Sequence, residues 1–140
     1  SRRYAAHKGD ELDVVDVEPI AQGQMALEDA HRQRASTLIV QDTDLLSTLV
    51  YGSHYYDYRP RWLVDAVQAR RPDLYLLLEI DVPWTPDGVR DRGHAREAMQ
   101  QLFRDAVAAS GSPYAVIRGS WNERLELARD AIGHLLAARE

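Results

Sequence analysis

No cysteine occurs among the 140 residues. Disulfides and thiolate metal sites are therefore excluded, and the composition is compatible with a reducing compartment. No apolar run approaches the roughly 18 residues that a membrane span needs, and Ser1-Arg2-Arg3-Tyr4 does not open a signal-peptide core. Positive charge is in deficit, with 17 basic against 22 acidic residues and a formal net charge of −5. That balance argues against a nucleic-acid binder held by a basic face. The expectation is a soluble globular protein. A chain of this length fits one domain and buries roughly two-thirds of its unfolded surface.

What is present is an alternation of helical and strand patterns. The first fifteen or so residues are polar and irregular, with a turn at Gly9-Asp10. Pro19 suits the first turn of a helix through Ile20, Met25, Leu27 and Ala30 to about Ala35. Thr37-Leu38-Ile39-Val40-Gln41 is short, β-branched and apolar, the pattern of a buried parallel strand. A helix is expected from about Thr43 to His54, broken by Tyr55, Tyr56, Tyr58 and Pro60. A short one follows through Trp62, Leu63, Ala66 and Val67, and Pro72 stops it. Asp73–Ile80 is the clearest strand, apolar on both faces and so expected to be central. A turn-rich loop over Asp81–Gly88 precedes a charged helix from about Ala95 to Ala109, with Ala98, Met99, Leu102, Phe103, Ala106 and Val107 on its apolar side. Gly111-Ser112-Pro113 turns into a last strand, Tyr114–Ile117, and Ser120 caps a closing helix through Leu125, Leu127, Ile132 and Leu136. Trp62 and Trp121 read as core, and Arg70-Arg71 as a solvated helix end facing the helix dipole.

Strands alternating with helices imply an α/β fold with a parallel sheet. Three strands make a sheet about half the usual width. The expectation is therefore that a partner completes the sheet or that the chain is a piece of a longer protein.

Asp42-Thr43-Asp44 stands where the first apolar run meets a helix. Ligands of open α/β sheets sit beyond the carboxyl ends of the strands, so two acids there can hold a metal-bound phosphate or take a proton from a hydroxyl. The plainer alternative is that one of them caps the helix by accepting its free N–H groups. Both alternatives remain open on the residues alone, and they can coexist. The five histidines share no ligand spacing, so no metal site follows from them.

The order of these motifs resembles the nicotinamide riboside kinase domain of NadR-type proteins, small P-loop kinases of the nucleotide-kinase type. Arg2-Arg3-Tyr4 resembles that family's Ala-Arg-Glu-Tyr segment, and Ile20-Ala21-Gln22-Gly23-Gln24 its Ile-Ala-Leu-Gly-His/Gln stretch. Asp42-Thr43-Asp44 matches its strand-end Asp-Thr-Asp. Leu76-Leu77-Leu78-Glu79, then Pro83-Trp84 and Asp87-Gly88-Val89-Arg90, resemble its Leu-Leu-Glu…Pro/Thr-Trp-x-x-Asp-Gly-Leu-Arg. Two departures stand out. The phosphate loop Gly-x-x-x-x-Gly-Lys-Ser/Thr is absent, and Lys8, the sole lysine, follows no apolar strand. Arg3 stands where the family carries Glu, and Ala30 where relatives often have an aromatic.

The resemblance implies a three-layer P-loop sheet with helices on both faces, here incomplete. Residues 1–140 would be the carboxyl-terminal portion of one kinase-like domain, with a lid at about 83–96 that is exposed and mobile without ligand. It implies a cytoplasmic, ATP- and Mg²⁺-dependent kinase of a nucleoside-like acceptor, nicotinamide riboside, with no nucleic-acid or membrane partner. Asp42 and Asp44 would divide the acid work, one near the Mg²⁺ water shell (Asp42 is the candidate) and the other on the ribose hydroxyl. Arg90 and Arg92 would hold phosphate oxygens, since guanidinium makes bidentate charge-assisted bonds. Tyr55, Tyr56 and Trp84 would stack on the acceptor base, whose positive ring aromatic faces attract, with Asp87 beside them. The competing readings are a non-catalytic interaction module that keeps the fold and a P-loop NTPase with another acceptor.

Overall fold

The computed structural model describes residues 13–34, 37–42, 44–80 and 93–139. The chain divides after Arg70 into two compact units.

The first unit is helical. A single 3-10 turn, Val14–Asp16, is closed by reciprocal bonds: Val14 N–H donates to Asp13 Oδ1 at 2.6 Å and Asp13 N–H to Asp16 Oδ2 at 2.7 Å. It runs directly into α1, Val17–Arg34. Pro19 lies in the first turn, where its missing N–H has no helical acceptor to lose. Helix α2, Leu45–Tyr56, stops at Asp57, whose φ of 50° is left-handed and lets its N–H reach Gly52 O. Aspartate is one of the few side chains that tolerates this conformation. Helix α3, Arg61–Ala69, starts behind Pro60, which offers no side-chain cap.

Val17, Ala21, Leu45, Leu46, Leu49, Val50, Leu63 and Val67 form the core of this unit. Burying each of the larger aliphatic side chains stabilises the fold by about 1.5–3 kcal/mol. Val17, Ala21 and Glu28 mark the inner stripe of α1 at helical spacing. Glu28 is tolerated there because it is paired, 3.0 Å from Arg32 and 3.7 Å from Arg70. Arg70 also forks onto Asp29 at 3.0 and 3.3 Å.

The second unit holds the sheet. Strand β1, Tyr75–Leu78, pairs in parallel with β2, Tyr114–Ile117, in the register Tyr75 to Tyr114 through Leu78 to Ile117. Tyr75 N–H donates to Pro113 O and Glu79 N–H to Ile117 O, both at 2.9 Å. Helix α4, Gly93–Ala109, lies in the crossover and α5, Trp121–Ala137, follows β2. Leu77, Met99, Val107 and Ile117 are buried. The turn into β2 is built from small residues. Ser110 Oγ donates to Val107 O at 2.6 Å, and Ser112 Oγ to Pro72 O at 2.8 Å. Gly111 between them has φ of 84°, and a Cβ there would lie 2.8 Å from Arg71 Nη1.

Several expectations need correction. Residues 37–41 belong to no strand, because among the described residues no neighbour offers them a ladder. For the same reason β1 is not central here: β2 is its one neighbour among the described residues, and Leu78 is exposed. The tryptophans are not core. Trp62 is 37% exposed and Trp121 70% exposed, since both sit in the first turn of a helix whose buried stripe lies elsewhere. Leu27, Leu102, Leu125 and Leu127 are likewise exposed. Nor is the Arg70-Arg71 pair a solvated end: Arg70 binds Glu28 and Asp29, and Arg71 Nη1 donates to Ser110 O at 3.3 Å.

Candidate functional site

Asp44 is the N-cap of α2. Its backbone is extended, and its Oδ1 accepts the N–H of Leu46 at 3.1 Å. The capping alternative read from the sequence is therefore realised, which leaves the chemical role of the carboxylate open. Its backbone carbonyl also accepts the N–H of Ser47 at 3.1 Å and the side-chain amide of Gln24, on α1, at 3.4 Å. The other end of that amide is held as well: Thr48 Oγ1 donates to Gln24 Oε1. Thr48 is buried within α2. Gln24 thus spans from α1 to both sides of the first turn of α2.

Asp42 is exposed and lines a cleft of about 580 Å³ between α1 and the 37–42 segment. Gln24, Leu27, His31 and Leu38 line it too, so Asp42 and the Asp44 clamp share one neighbourhood. Among the described residues no group of three His, Cys, Asp or Glu side chains is set to hold a metal. Mg²⁺ needs no such group, being held by one or two carboxylates together with substrate phosphates and waters. An exposed Asp42 fits that donor set. A triphosphate is a different case: the sequence holds no phosphate loop, and no described cluster replaces one.

Tyr55 and Tyr56 lie in the last turn of α2, in a run of ring contacts. Tyr51 and Tyr55 stack at 5.9 Å, and His54 meets Tyr55 edge-on at 4.8 Å. A rise of about 1.5 Å per residue puts Tyr55 about 16 Å from Asp44 along the helix, so the structure does not bring the tyrosines to the acid pair. Trp84, Asp87, Arg90 and Arg92 lie outside the described residues, as does most of the expected lid. Gly93 and His94, at its end, already belong to α4.

Sequence reasoning missed a second polar centre at the carboxyl ends of β1 and β2. Arg124 is 6% exposed, and donates from Nη2 to Glu79 O at 2.7 Å and from Nε to Gly119 O at 2.9 Å. It ties together the two backbones just past the sheet. The Glu79 carboxylate is held by Arg104, which bonds Oε1 from Nε at 3.3 Å and Oε2 more closely from Nη2. No local pattern announces these bonds, because Glu79 is more than twenty residues from either arginine and Gly119 offers only a bare carbonyl. Gln24 was missed for the same reason.

An AAA domain family model matches residues 1–124. The trifunctional NAD biosynthesis/regulator protein NadR of Salmonella typhimurium (strain LT2) is 26% identical over 134 residues, covering 89% of this chain and 33% of that protein. The chain therefore spans about a third of the length of the curated relative it matches. The parallel β1–β2 pair with its helical crossover is the α/β arrangement of P-loop proteins, incomplete here. With nearly nine-tenths of its length inside the family model, the chain belongs to the AAA domain family.

Proposed function

We propose that this chain supplies the acceptor side of a phosphoryl transfer to the ribose hydroxyl of a nucleoside, nicotinamide riboside being the favoured acceptor. The observation that carries the reading is the fixed Asp44 at the head of α2 with Asp42 beside it in an open cleft. Phosphoryl transfer needs positioning and charge neutralisation more than covalent chemistry. An aspartate held by two bonds to its carbonyl and one to its carboxylate is suited to orient a hydroxyl and accept its proton. Asp42 is suited to the water shell of a Mg²⁺, which would neutralise phosphate charge when bound. Arg90 and Arg92 supply guanidinium groups for phosphate oxygens. Tyr55 and Tyr56, with Trp84, are left for the far end of the acceptor base. The NAD biosynthesis named in the relative favours a nicotinamide nucleoside over other acceptors. The residues correspond to the carboxyl-terminal portion of a kinase domain, working in the cytoplasm, where a cysteine-free chain needs no oxidising environment.

The sequence lacks the phosphate loop that would anchor the triphosphate donor. A phosphate loop offers a nest of N–H groups, a helix terminus and a lysine, and nothing in this sequence substitutes for them. Titration of the 140-residue chain with Mg-ATP should accordingly give affinity of about millimolar or weaker. Micromolar binding would reveal an unrecognised phosphate site.

The second reading, a non-catalytic module, is favoured by the capping bond that already employs Asp44. A coupled ADP-release assay of the complete natural chain carrying this sequence, against a panel of nucleosides, separates the two. Turnover with nicotinamide riboside supports the kinase, and none with any nucleoside supports the module.

A further inference from the structure

We infer that Gln24 is a positioning residue for Asp44, acting from α1 through its amide. The inference rests on the phosphoryl-transfer reading for its functional consequence, but its geometry stands by itself. An N-cap has its side chain fixed by the helix it starts, yet its backbone is extended, so the direction of the carboxylate also depends on what holds its own carbonyl besides the Ser47 N–H of that helix. Here that restraint comes from outside the helix. Gln24 Nε2 donates to Asp44 O, while Gln24 Oε1 accepts from Thr48 Oγ1, one turn into α2. A primary amide offers both functions in a fixed plane. Neither Glu, which cannot donate, nor Met, which can do neither, reproduces it. The anchors differ in kind: Thr48 is buried and belongs to the regular helix, and Asp44 is the half-buried residue that must be aimed. Gln24 also lines the cleft that contains Asp42, so one side chain borders the cleft and bonds the residue that caps α2.

Errors of about an ångström in aiming a reacting group cost up to a hundredfold in rate. In the complete natural chain, Gln24→Ala and Gln24→Glu should each lower kcat by about ten- to a hundredfold with the KM for the donor unchanged. Thr48→Val should give a smaller fall, and Gln24→Ala/Thr48→Val should be no worse than Gln24→Ala, because one clamp is removed in both cases. A merely structural glutamine would lower the melting temperature and leave kcat alone, and that result overturns the inference. Amide hydrogen exchange gives a readout independent of catalysis. In Gln24→Ala, Leu46 and Ser47 should exchange about tenfold faster, the scale of one hydrogen bond, while Arg124 at the head of α5 should not change. Unchanged exchange at Leu46 and Ser47 refutes the clamp even if the wild type proves active. Should the wild type transfer no phosphate, the kinase reading fails, and the exchange data still decide whether Gln24 aims Asp44.

Discussion

Helices α2 and α5 each begin after a short apolar run, and their first turns are secured in opposite ways. At α5 the arrangement is closed upon itself. Ser120 Oγ accepts the N–H of Glu123 at 3.2 Å, and Glu123 Oε1 accepts the N–H of Ser120 at 3.1 Å. Both partners lie within one turn, and the cap is a neutral hydroxyl. At α2 the cap is a carboxylate, and the residue bearing it is braced from α1 by Gln24. A self-sufficient box serves a helix that only has to start. A charged cap steered by another helix costs more sequence to specify, and it suits a group that must point somewhere. The contrast favours chemistry at Asp44 over chemistry at Ser120.

The hardest test of that contrast is Asp44→Asn. Asparagine keeps a capping oxygen and loses the charge, so stability should scarcely move while kcat falls by at least about a hundredfold. Wild-type turnover in this variant would return Asp44 to the same purely structural status as Ser120. The converse substitution is Ser120→Ala, which should cost about 1 kcal/mol of stability in chemical denaturation and leave kcat unchanged. A loss of turnover there would break the comparison from the other side.

The smallest effect concerns pH. The Arg70 guanidinium, hydrogen-bonded to Asp29, holds that carboxyl below its ordinary value of 3.8. A depressed folded-state pKa gives stability that is present above the ordinary carboxylate range and is lost as pH falls through the folded value. Asp29 lies on α1, the helix that carries Gln24. Wild type should therefore be slightly more stable than Asp29→Asn at neutral pH, and the difference should vanish in strong acid. A difference that persists in strong acid would mean that Asp29 acts through packing rather than charge.

Which features the sequence disclosed follows the same division. The Ser120 cap, the stop before Pro72, the turn at Gly111 and the Asp44 cap were legible because the residues concerned act within a few positions of each other. The α/β class and the β1–β2 elements were legible from the apolar runs. Thr37–Gln41 has the same composition as a strand but no ladder among the described residues, since a strand is defined by a neighbour and its own residues cannot supply one. Trp121 lies on what reads as an apolar helix face, yet it is exposed. Its ring lies 5.7 Å from the Arg124 guanidinium and stays exposed, while the buried position in that turn belongs to the arginine. The bonds of Gln24 to Asp44 and Thr48, and of Arg104 and Arg124 to Glu79, were not legible, although Gln24 stands in the family-like stretch, because those partners are brought near by folding rather than by spacing.

The parallel pairing of β1 with β2 has a consequence for the length of the chain between them. Closing Tyr75 onto Tyr114 restricts a long connection, part of which is already stiffened as α4. The entropy of closing such a loop grows only with the logarithm of its length, about 0.6 kcal/mol for each doubling. Residues added or removed ahead of Gly93 should therefore hardly disturb the sheet. The sheet by itself leaves the length of this connection free while Leu77 and Ile117 stay packed, and any constraint on Asp87, Arg90 and Arg92 comes from their proposed role and not from the fold. Related chains should differ most in length there, and least across the short turn from Ser110 to Pro113, where Gly111 passes close to Arg71.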